Sequence, residues 1–366
     1  MFTITHNDTT TSARLGTLKT AHHTIETPFF MPIATKGTVK HITPQELKTL
    51  GTECLISNAF ILYLQPGLQI IKKFRGIHNF MQWDRGIFTD SGGFQILSPK
   101  FLRTITDKGV AFNNPFTKKN EFFTPEKVMN IEITLGSDVA MALDHVPHHD
   151  QSYTAMTEAV RRTHLWAERC LNAHKNTKQL LFGITQGGIY PDLREKSAKF
   201  MSKLDFDGIA LGGFCIGEDK TNMLTMVKHS LRAIDPERPH YLMGVGSPED
   251  IIESIGYGID IFDSRYPTQN ARHGSLFTKK GPIDIAKKRY ARLLGPIDTG
   301  CTCQACTTFS TAFIHHLFRT HEPMAERYAT MHNIHFIHTL ISNIKTAIRE
   351  HRFERFKKEF LKEYKV

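Results

Sequence analysis

The feature that most constrains the fold of this chain is a series of short apolar runs, each followed by a helical pattern. Such alternation is typical of βα units that build a parallel sheet. Seven of the runs end at polar or glycine residues, which are Asn58, Asp90, Asp144, Gln186, Gly212 with Gly213, Gly244 and Asp263. In a (β/α)8 barrel the carboxyl ends of the strands meet at one face, where the active site lies. We therefore expect an α/β protein with a TIM barrel, although aspartate and glycine also follow strands as ordinary turn residues.

Three helix starts are marked by capping patterns. Thr43 and Ser247 each precede a proline and carry an acidic residue at the third helical position, and Thr124 precedes Pro125. A hydroxyl cap followed by proline at the first helical position is typical of a helix N-terminus. These patterns predict helices that begin near residues 44, 125 and 248.

Length, charge and hydrophobicity limit the class of protein. The 366 residues are 40% hydrophobic and 22% charged, which allows a large core. The formal net charge of +10 favours a polyanionic partner, with a basic but non-binding surface as the alternative. The first twelve residues are polar, and no run reaches the ~18 consecutive apolar residues of a membrane helix. We expect a cytoplasmic protein with no membrane partner.

Three of the six cysteines, Cys301, Cys303 and Cys306, lie within six positions of one another. Thiolates so close on one loop suit a tetrahedral zinc ion better than a disulfide framework. The fourth ligand would be a downstream histidine. Spacing alone leaves six candidates, which are His315, His316, His321, His332, His335 and His338. Three sulfurs and one nitrogen would close the site, so the zinc would be structural.

Two aspartates at strand ends suggest chemistry at a glycosidic carbon. Asp90 is followed by a glycine pair that allows close approach of a flat ligand, and Asp263 ends another strand. Two carboxylates on one rim are the minimum for a nucleophile and an acid/base group. Asp144 and Gln186 offer the acceptors and donors that suit the edge of a purine-like base. A lone aspartate on a rim is more often a helix cap or an ion-pair partner.

Five segments together resemble the bacterial tRNA-guanine transglycosylases, also called queuine tRNA-ribosyltransferases. These segments are residues 90–95 (DSGGFQ), 182–188 (FGITQGG), 242–246 (LMGVG), 262–272 (FDSRYPTQNAR) and 301–306 (CTCQAC). The similarity extends from about residue 2 to about residue 338, and the motifs occur in the family's order. Chance is a poor explanation for such a series.

The resemblance implies a pentosyltransferase of queuosine biosynthesis that acts on tRNA with a GUN anticodon. Such enzymes replace the guanine at wobble position 34 with a 7-deazaguanine, either the pre-queuosine-1 base or queuine. By motif, Asp263 would be the nucleophile and Asp90 the proton donor and acceptor. Double displacement through a covalent Asp263–RNA intermediate would preserve the configuration at the sugar.

The resemblance also implies the binding residues and the architecture. The base-binding residues would be Asp90, Ser91, Gly92, Gly93, Phe94, Asp144, Gln186, Gly213 and Met243. The RNA-binding residues would be Gly244, Val245, Gly246, Ser247, Pro248, Glu249, Asp250, Thr268, Gln269, Asn270, Ala271 and Arg272. His332 would be the fourth ligand of one structural Zn²⁺ per subunit, and the family usually forms homodimers. We expect a single catalytic domain over 1–366, with a zinc-binding subdomain at about 285–345 and a C-terminal helix at about 346–366.

Several positions depart from the family pattern. Val146 and Ile216 replace the usual residues at the base pocket, so the sequence leaves both 7-deazaguanines open. Gln269 replaces a cation at the RNA surface, which Arg265 would offset.

Two rival functions fit parts of the sequence. A non-catalytic tRNA-binding subunit of a transglycosylase heterodimer would not need both Asp90 and Asp263. A barrel glycosidase acting on free carbohydrate or nucleosides would not need the basic charge or the zinc region. Near the C-terminus, basic residues separate an aromatic stripe of Phe353, Phe356, Phe360 and Tyr364. We expect a helix that buries this stripe, rather than one that binds RNA through its basic face.

Overall fold

A computed structural model describes residues 1–97, 101–148 and 150–365 of the chain. The strands are β1 (Phe2–Asn7), β2 (Arg14–Lys19), β3 (Thr24–Thr27), β4 (Phe29–Pro32), β5 (Cys54–Asn58), β6 (Gly86–Asp90), β7 (Leu102–Thr106), β8 (Gly109–Asn113), β9 (Asn120–Phe123), β10 (Val139–Met141), β11 (Leu180–Thr185), β12 (Gly208–Leu211), β13 (His240–Leu242), β14 (Ile261–Ser264), β15 (Ser275–Thr278) and β16 (Gly281–Asp284).

The helices are α1 (Pro44–Thr49), α2 (Ala59–Leu64), α3 (Leu68–Lys73), α4 (Ile77–Met81), α5 (Gly93–Ile96), α6 (Pro125–Leu135), α7 (Tyr153–Ala173), α8 (Pro191–Lys203), α9 (Lys220–Leu231), α10 (Pro248–Gly256), α11 (Tyr266–Arg272), α12 (Gln304–Thr308), α13 (Thr311–Arg319), α14 (Pro323–Arg349) and α15 (Phe353–Glu363). A 3₁₀ helix covers Lys288–Arg292. The three predicted helix starts are confirmed, since the side chains of Thr43, Thr124 and Ser247 each accept a hydrogen bond from the third helical N–H.

Eight parallel strands form a closed barrel. Hydrogen bonds connect them in the order β4, β14, β13, β12, β11, β10, β6 and β5. A parallel bridge between Ile33 and Ile56 joins the two outer strands, with the Ala34 N–H 2.7 Å from the Ile56 carbonyl oxygen. The predicted (β/α)8 class is therefore confirmed, with the cysteine cluster near the C-terminus.

Alternate residues of each barrel strand face the barrel interior or the surrounding helices. Phe88, Tyr241 and Ile261 belong to the inner core, whereas Ile87 and Phe262 pack in the outer core against the helices. Because both faces are buried, the strands read as continuous apolar runs. This periodicity places Asp90 and Asp263, two residues after inward-facing Phe88 and Ile261, at the open end of the barrel.

Three smaller sheets accompany the barrel. An antiparallel sheet of β1, β2 and β3 packs Leu18 and Ile25 onto the inner core, and β7, β8 and β9 form a second sheet between β6 and α6. A hairpin of β15 and β16 leads into the cysteine cluster. Within the described ranges, no helix is both long enough and apolar enough to cross a membrane.

The C-terminal region consists of two helices separated by a short break. The long helix α14 contains residue 346, and α15 begins only at Phe353. The predicted boundary between a zinc-binding subdomain (about 285–345) and a C-terminal helix (about 346–366) stays a prediction. Residue 366 lies outside the described part of the chain. The aromatic stripe faces the protein rather than solvent: Phe353 and Tyr364 are buried, and Phe356 and Phe360 are half-buried against the core.

Candidate active site and candidate metal centre

A cavity of about 510 Å³ lies at the carboxyl ends of the barrel strands. Its wall includes Asp90, Asp144 and Asp263, which come from β6, the loop after β10, and β14. The strand endings thus converge on one site, as the sequence pattern indicates. The convergence follows from the two-residue period of the strands and the parallel direction of the sheet.

Two hydrogen bonds fix one oxygen of the Asp263 carboxylate. Its Oδ1 accepts hydrogen bonds from the Tyr241 hydroxyl at 2.6 Å and from the Gly244 N–H at 2.9 Å. Burial raises the pKa of Asp263 above its usual value, while these two hydrogen bonds stabilise the charged form and oppose that rise. The geometry fixes the orientation of the carboxylate and leaves Oδ2 for a reacting atom.

Asp90 faces the same cavity and carries a strongly shifted pKa. Burial, reinforced by the negative charge of Asp263, raises the pKa of Asp90 to about 6. The Asn58 amide donates to Asp90 Oδ2 at 3.1 Å and to Gln95 Oε1 at 3.1 Å, which orients the carboxylate. A carboxyl group that titrates near neutral pH is suited to donate a proton in one step and to accept one in the next.

Asp144, in the cavity wall, forms a buried pair with Gln186, which does not line the cavity. The Gln186 Nε2 donates to Asp144 Oδ2 at 2.6 Å. Burial raises the pKa of Asp144 to about 7, against the effect of that hydrogen bond. A β-carbon on Gly93 would stand 2.8 Å from Asp144 Oδ1, so a larger residue there would displace the carboxylate. The pair offers acceptor atoms for the N–H groups of a planar base.

The three cysteines and His332 converge on one point. Their ligand atoms all lie within 4.8 Å of one another. The Nδ1 of His332 is 3.7, 3.6 and 3.3 Å from the sulfurs of Cys301, Cys303 and Cys306. A tetrahedral zinc ion with Zn–S bonds of about 2.3 Å and a Zn–N bond of about 2.1 Å would separate sulfur from nitrogen by about 3.6 Å. The four residues therefore fit a tetrahedral metal ion.

Hydrogen bonds around His332 prepare its ring for a metal. Its Nε2 donates to the Phe277 carbonyl oxygen at 2.6 Å, which directs the Nδ1 lone pair toward the sulfurs. The neighbouring Asn333 accepts from the Phe277 N–H and donates to the Pro267 and Ser275 carbonyls. The candidate metal centre is thereby connected to α11, the helix that follows Asp263.

Comparisons with known proteins agree with this geometry. A family model described as "Queuine tRNA-ribosyltransferase" matches residues 8–366. The chain belongs to the queuine tRNA-ribosyltransferase family. A protein of that name from Thermoanaerobacter sp. (strain X514) is 47% identical over 358 residues, which cover 98% of this chain and 96% of the relative. A queuine tRNA-ribosyltransferase from Dehalococcoides mccartyi (strain BAV1) is 46% identical over 352 residues, which cover 96% of this chain and 90% of the relative.

Membership in the queuine tRNA-ribosyltransferase family confirms the resemblance seen in the sequence and the assignment as a transferase of queuosine modification. The family match also spans the cysteine cluster and the long C-terminal helices. The roles of individual residues stay predictions.

Ten residues with predicted roles line the cavity beside Asp263. They are Asp90, Phe94, Asp144, Gly213, Met243, Gly244, Gly246, Ser247, Asp250 and Gln269. Phe94 is 55% exposed, which leaves its ring free to contact a ligand.

Eleven other residues with predicted roles are not among the residues that line the cavity. They are Ser91, Gly92, Gly93, Gln186, Val245, Pro248, Glu249, Thr268, Asn270, Ala271 and Arg272. Val245, Thr268 and Ala271 are buried as whole residues, so this structure offers a ligand almost no surface at these three positions.

Two residues of the site escaped the sequence reasoning. Tyr241 holds Asp263, and Gln95 shares the Asn58 amide with Asp90. Tyr241 lies inside an apolar run and therefore reads as a core residue. The signal that identifies it is the two-residue period, since Tyr241 lies two positions before Met243 and both pack in the inner core.

Proposed function

We propose that this chain replaces guanine at wobble position 34 of tRNA with a GUN anticodon by a 7-deazaguanine, through a covalent Asp263–RNA intermediate. The observation that carries the proposal is the pair of carboxylates in one cavity. Asp263 has one oxygen held by Tyr241 and Gly244, and Asp90 has a pKa of about 6. These are the properties that a nucleophile and an acid/base group need for double displacement.

In the first step Asp263 Oδ2 would attack C1′ of the ribose while the bond to the guanine nitrogen breaks. The protonated form of Asp90 would give its proton to the departing guanine. In the second step the Asp90 carboxylate would take a proton from the incoming base, whose nitrogen would attack C1′ and release Asp263. The configuration at C1′ is inverted twice and therefore preserved.

The cavity supplies contacts for a planar base. Asp144 and Gln186 would bind the N–H edge, and the Gly213 backbone would bind the oxo group. Phe94 and Met243 line the same cavity and would cover the two faces of the base. Extrusion of a base from an anticodon loop costs only a few kcal/mol, because that base is not paired within a duplex.

We further propose the pre-queuosine-1 base, rather than queuine, as the incoming base. The Cys215 N–H donates to Glu218, so the carbonyl of Phe214, on the other side of the same trans peptide, points away from Glu218. Phe214 and Gly244 both line the cavity, and this oxygen would accept a hydrogen bond from an aminomethyl cation there. The bulk of Ile216 on the same wall leaves less room for the larger cyclopentenediol of queuine.

We propose Zn²⁺ for the Cys301, Cys303, Cys306 and His332 site, one ion per subunit, on the basis of its three sulfurs and one nitrogen. The ion would fasten the cysteine loop to α14. We further propose a homodimer, from the family resemblance, and a cytoplasmic location, where the six free cysteines would stay reduced.

The test is a pulse and chase with labelled guanine. The purified chain alone should incorporate labelled guanine into tRNA with a GUN anticodon, and the pre-queuosine-1 base should release the label faster than queuine does. A tRNA whose anticodon begins with another base is the control. A chain that binds tRNA but incorporates no guanine would support the non-catalytic subunit instead. Faster release by queuine would contradict the assignment of the incoming base.

A further inference from the structure

Arg194, the fourth residue of α8, is a buried cation next to the proposed base pocket. It is fully buried, and among the described residues no carboxylate lies within ion-pair distance of it. Its guanidinium donates to three backbone carbonyls, those of Gly188 at 2.8 Å, Gly212 at 2.7 Å and Gly213 at 3.2 Å. An apolar side chain would fill the same space without the cost of burying a charge.

The three carbonyls belong to the loops that follow β11 and β12. These loops carry Gln186 and Gly213, the residues proposed to bind the edge of the base. The guanidinium also lies over the ring of Phe214, 3.9 Å from the ring centroid. One side chain therefore holds both loops at the point where they meet.

The loop from Gly212 to Ile216 adopts a conformation that needs support. Gly213 and Cys215 have positive φ angles of 70° and 57°, and the second is unusual for a residue with a side chain. On the other side of the loop, the Glu218 carboxylate accepts the N–H groups of Cys215 and Ile216. Burial lowers the pKa of Arg194 to about 9, with the charge of Glu218 opposing the change, so the guanidinium stays charged at neutral pH.

The bond from Arg194 to the Gly212 carbonyl fixes the direction of one N–H group. In a trans peptide the carbonyl and the following N–H point in opposite directions. Since the Gly212 carbonyl points at Arg194, the Gly213 N–H points away from it. This N–H has no acceptor within the described part of the chain, and Gly213 lines the cavity.

We propose that Arg194 is a positioning residue that aims the Gly213 N–H at the oxo group of the base and thereby selects oxo-purines over amino-purines. The inference rests on the proposed function, because it assumes that the cavity binds a guanine-like base. A lysine would not replace Arg194, since one ammonium does not reach three diverging carbonyls with the planar geometry of a guanidinium.

The experiment measures base binding without tRNA, by calorimetry, with the pre-queuosine-1 base and guanine as oxo ligands and 2,6-diaminopurine as the amino analogue. Arg194→Lys and Arg194→Met should bind the oxo ligands at least ~10-fold more weakly and lose most of the preference over 2,6-diaminopurine. Equilibrium binding of tRNA should stay within about twofold of wild type, because most of that affinity comes from phosphate contacts outside the base pocket. Lys196→Met, an exposed change on the same helix, is the matched control.

Folding is checked by thermal unfolding, and Phe214→Leu provides a second variant that removes only the ring under the guanidinium. It should reduce the oxo preference less than the Arg194 variants do, in the same direction. The proposal is wrong if the folded Arg194 variants keep the wild-type preference for oxo ligands. If neither Arg194 variant folds, the proposal is wrong if Phe214→Leu keeps that preference. A wild-type chain that binds no base would instead contradict the proposed function itself.

Discussion

At the scale of single residues, the candidate active site holds three carboxyl groups in one cavity, with Asp144 and Asp263 buried and Asp90 half-buried. Burial raises the pKa of Asp144 to about 7 and that of Asp90 to about 6, and the charge of Asp263 adds to the second shift. Both values exceed those of carboxyl groups in an unfolded chain, about 3.9 for aspartate. The native protein therefore binds protons that the unfolded chain releases, and the site lowers stability at neutral and alkaline pH.

Asp144→Asn should therefore stabilise the protein in a pH-dependent way. The amide oxygen still accepts from Gln186 but carries no charge to bury. Each unit of pKa shift corresponds to about 1.4 kcal/mol, so the gain in unfolding free energy should grow from near zero below pH 4 to its full value above pH 7. Urea unfolding at pH 5 and pH 8 measures the gain. The same gain at both pH values would show that Asp144 does not titrate in this range.

At the scale of elements, the candidate metal centre supports the helix that follows the nucleophile. His332 and Asn333 lie side by side in α14, and Asn333 bonds the Pro267 carbonyl in α11 as well as β15. Fixing His332 on the metal therefore also fixes Asn333. The metal is predicted to stabilise the segment that carries Thr268 and Gln269, and to take no part in the chemistry.

His332→Ala should lose bound zinc and loosen α11. Amide hydrogen exchange in residues 266–272 should become faster, and base exchange should fall mainly through a higher KM for tRNA. His321→Ala, outside the cluster, is the control and should keep one zinc per chain. Full zinc content in His332→Ala, measured by atomic absorption, would contradict the ligand assignment.

The sequence predicted the starts of helices correctly where a short local pattern marks them. Caps at Thr43, Thr124 and Ser247 marked helix starts, because a hydroxyl before proline has few other uses. The first barrel strand, β4, was missed because its run of Phe29–Pro32 has no polar ending. The pairing of β4 with β14 and β5 is a long-range contact, and no local pattern encodes it.

At the scale of the whole molecule, the barrel order follows the chain order of its strands, and this explains why a one-dimensional series of endings predicts a three-dimensional site. Asp90 and Asp263 lie far apart in the sequence, yet both line the same cavity. What the sequence could not show is the support behind them. Tyr241 lies in an apolar run and reveals its role only through its bond to the Asp263 carboxylate. Arg194 and Asn333 bond backbone groups, and such bonds leave no spacing pattern.

The central claim is that Asp263 becomes covalently bound to the ribose at position 34. The most direct measurement incubates the chain with tRNA without an incoming base, denatures the mixture and maps the adduct by mass spectrometry. The account predicts a denaturation-resistant adduct on the peptide that contains Asp263, and none with Asp263→Ala, which should still bind tRNA. An adduct that persists in Asp263→Ala, or that maps to another residue, would contradict it.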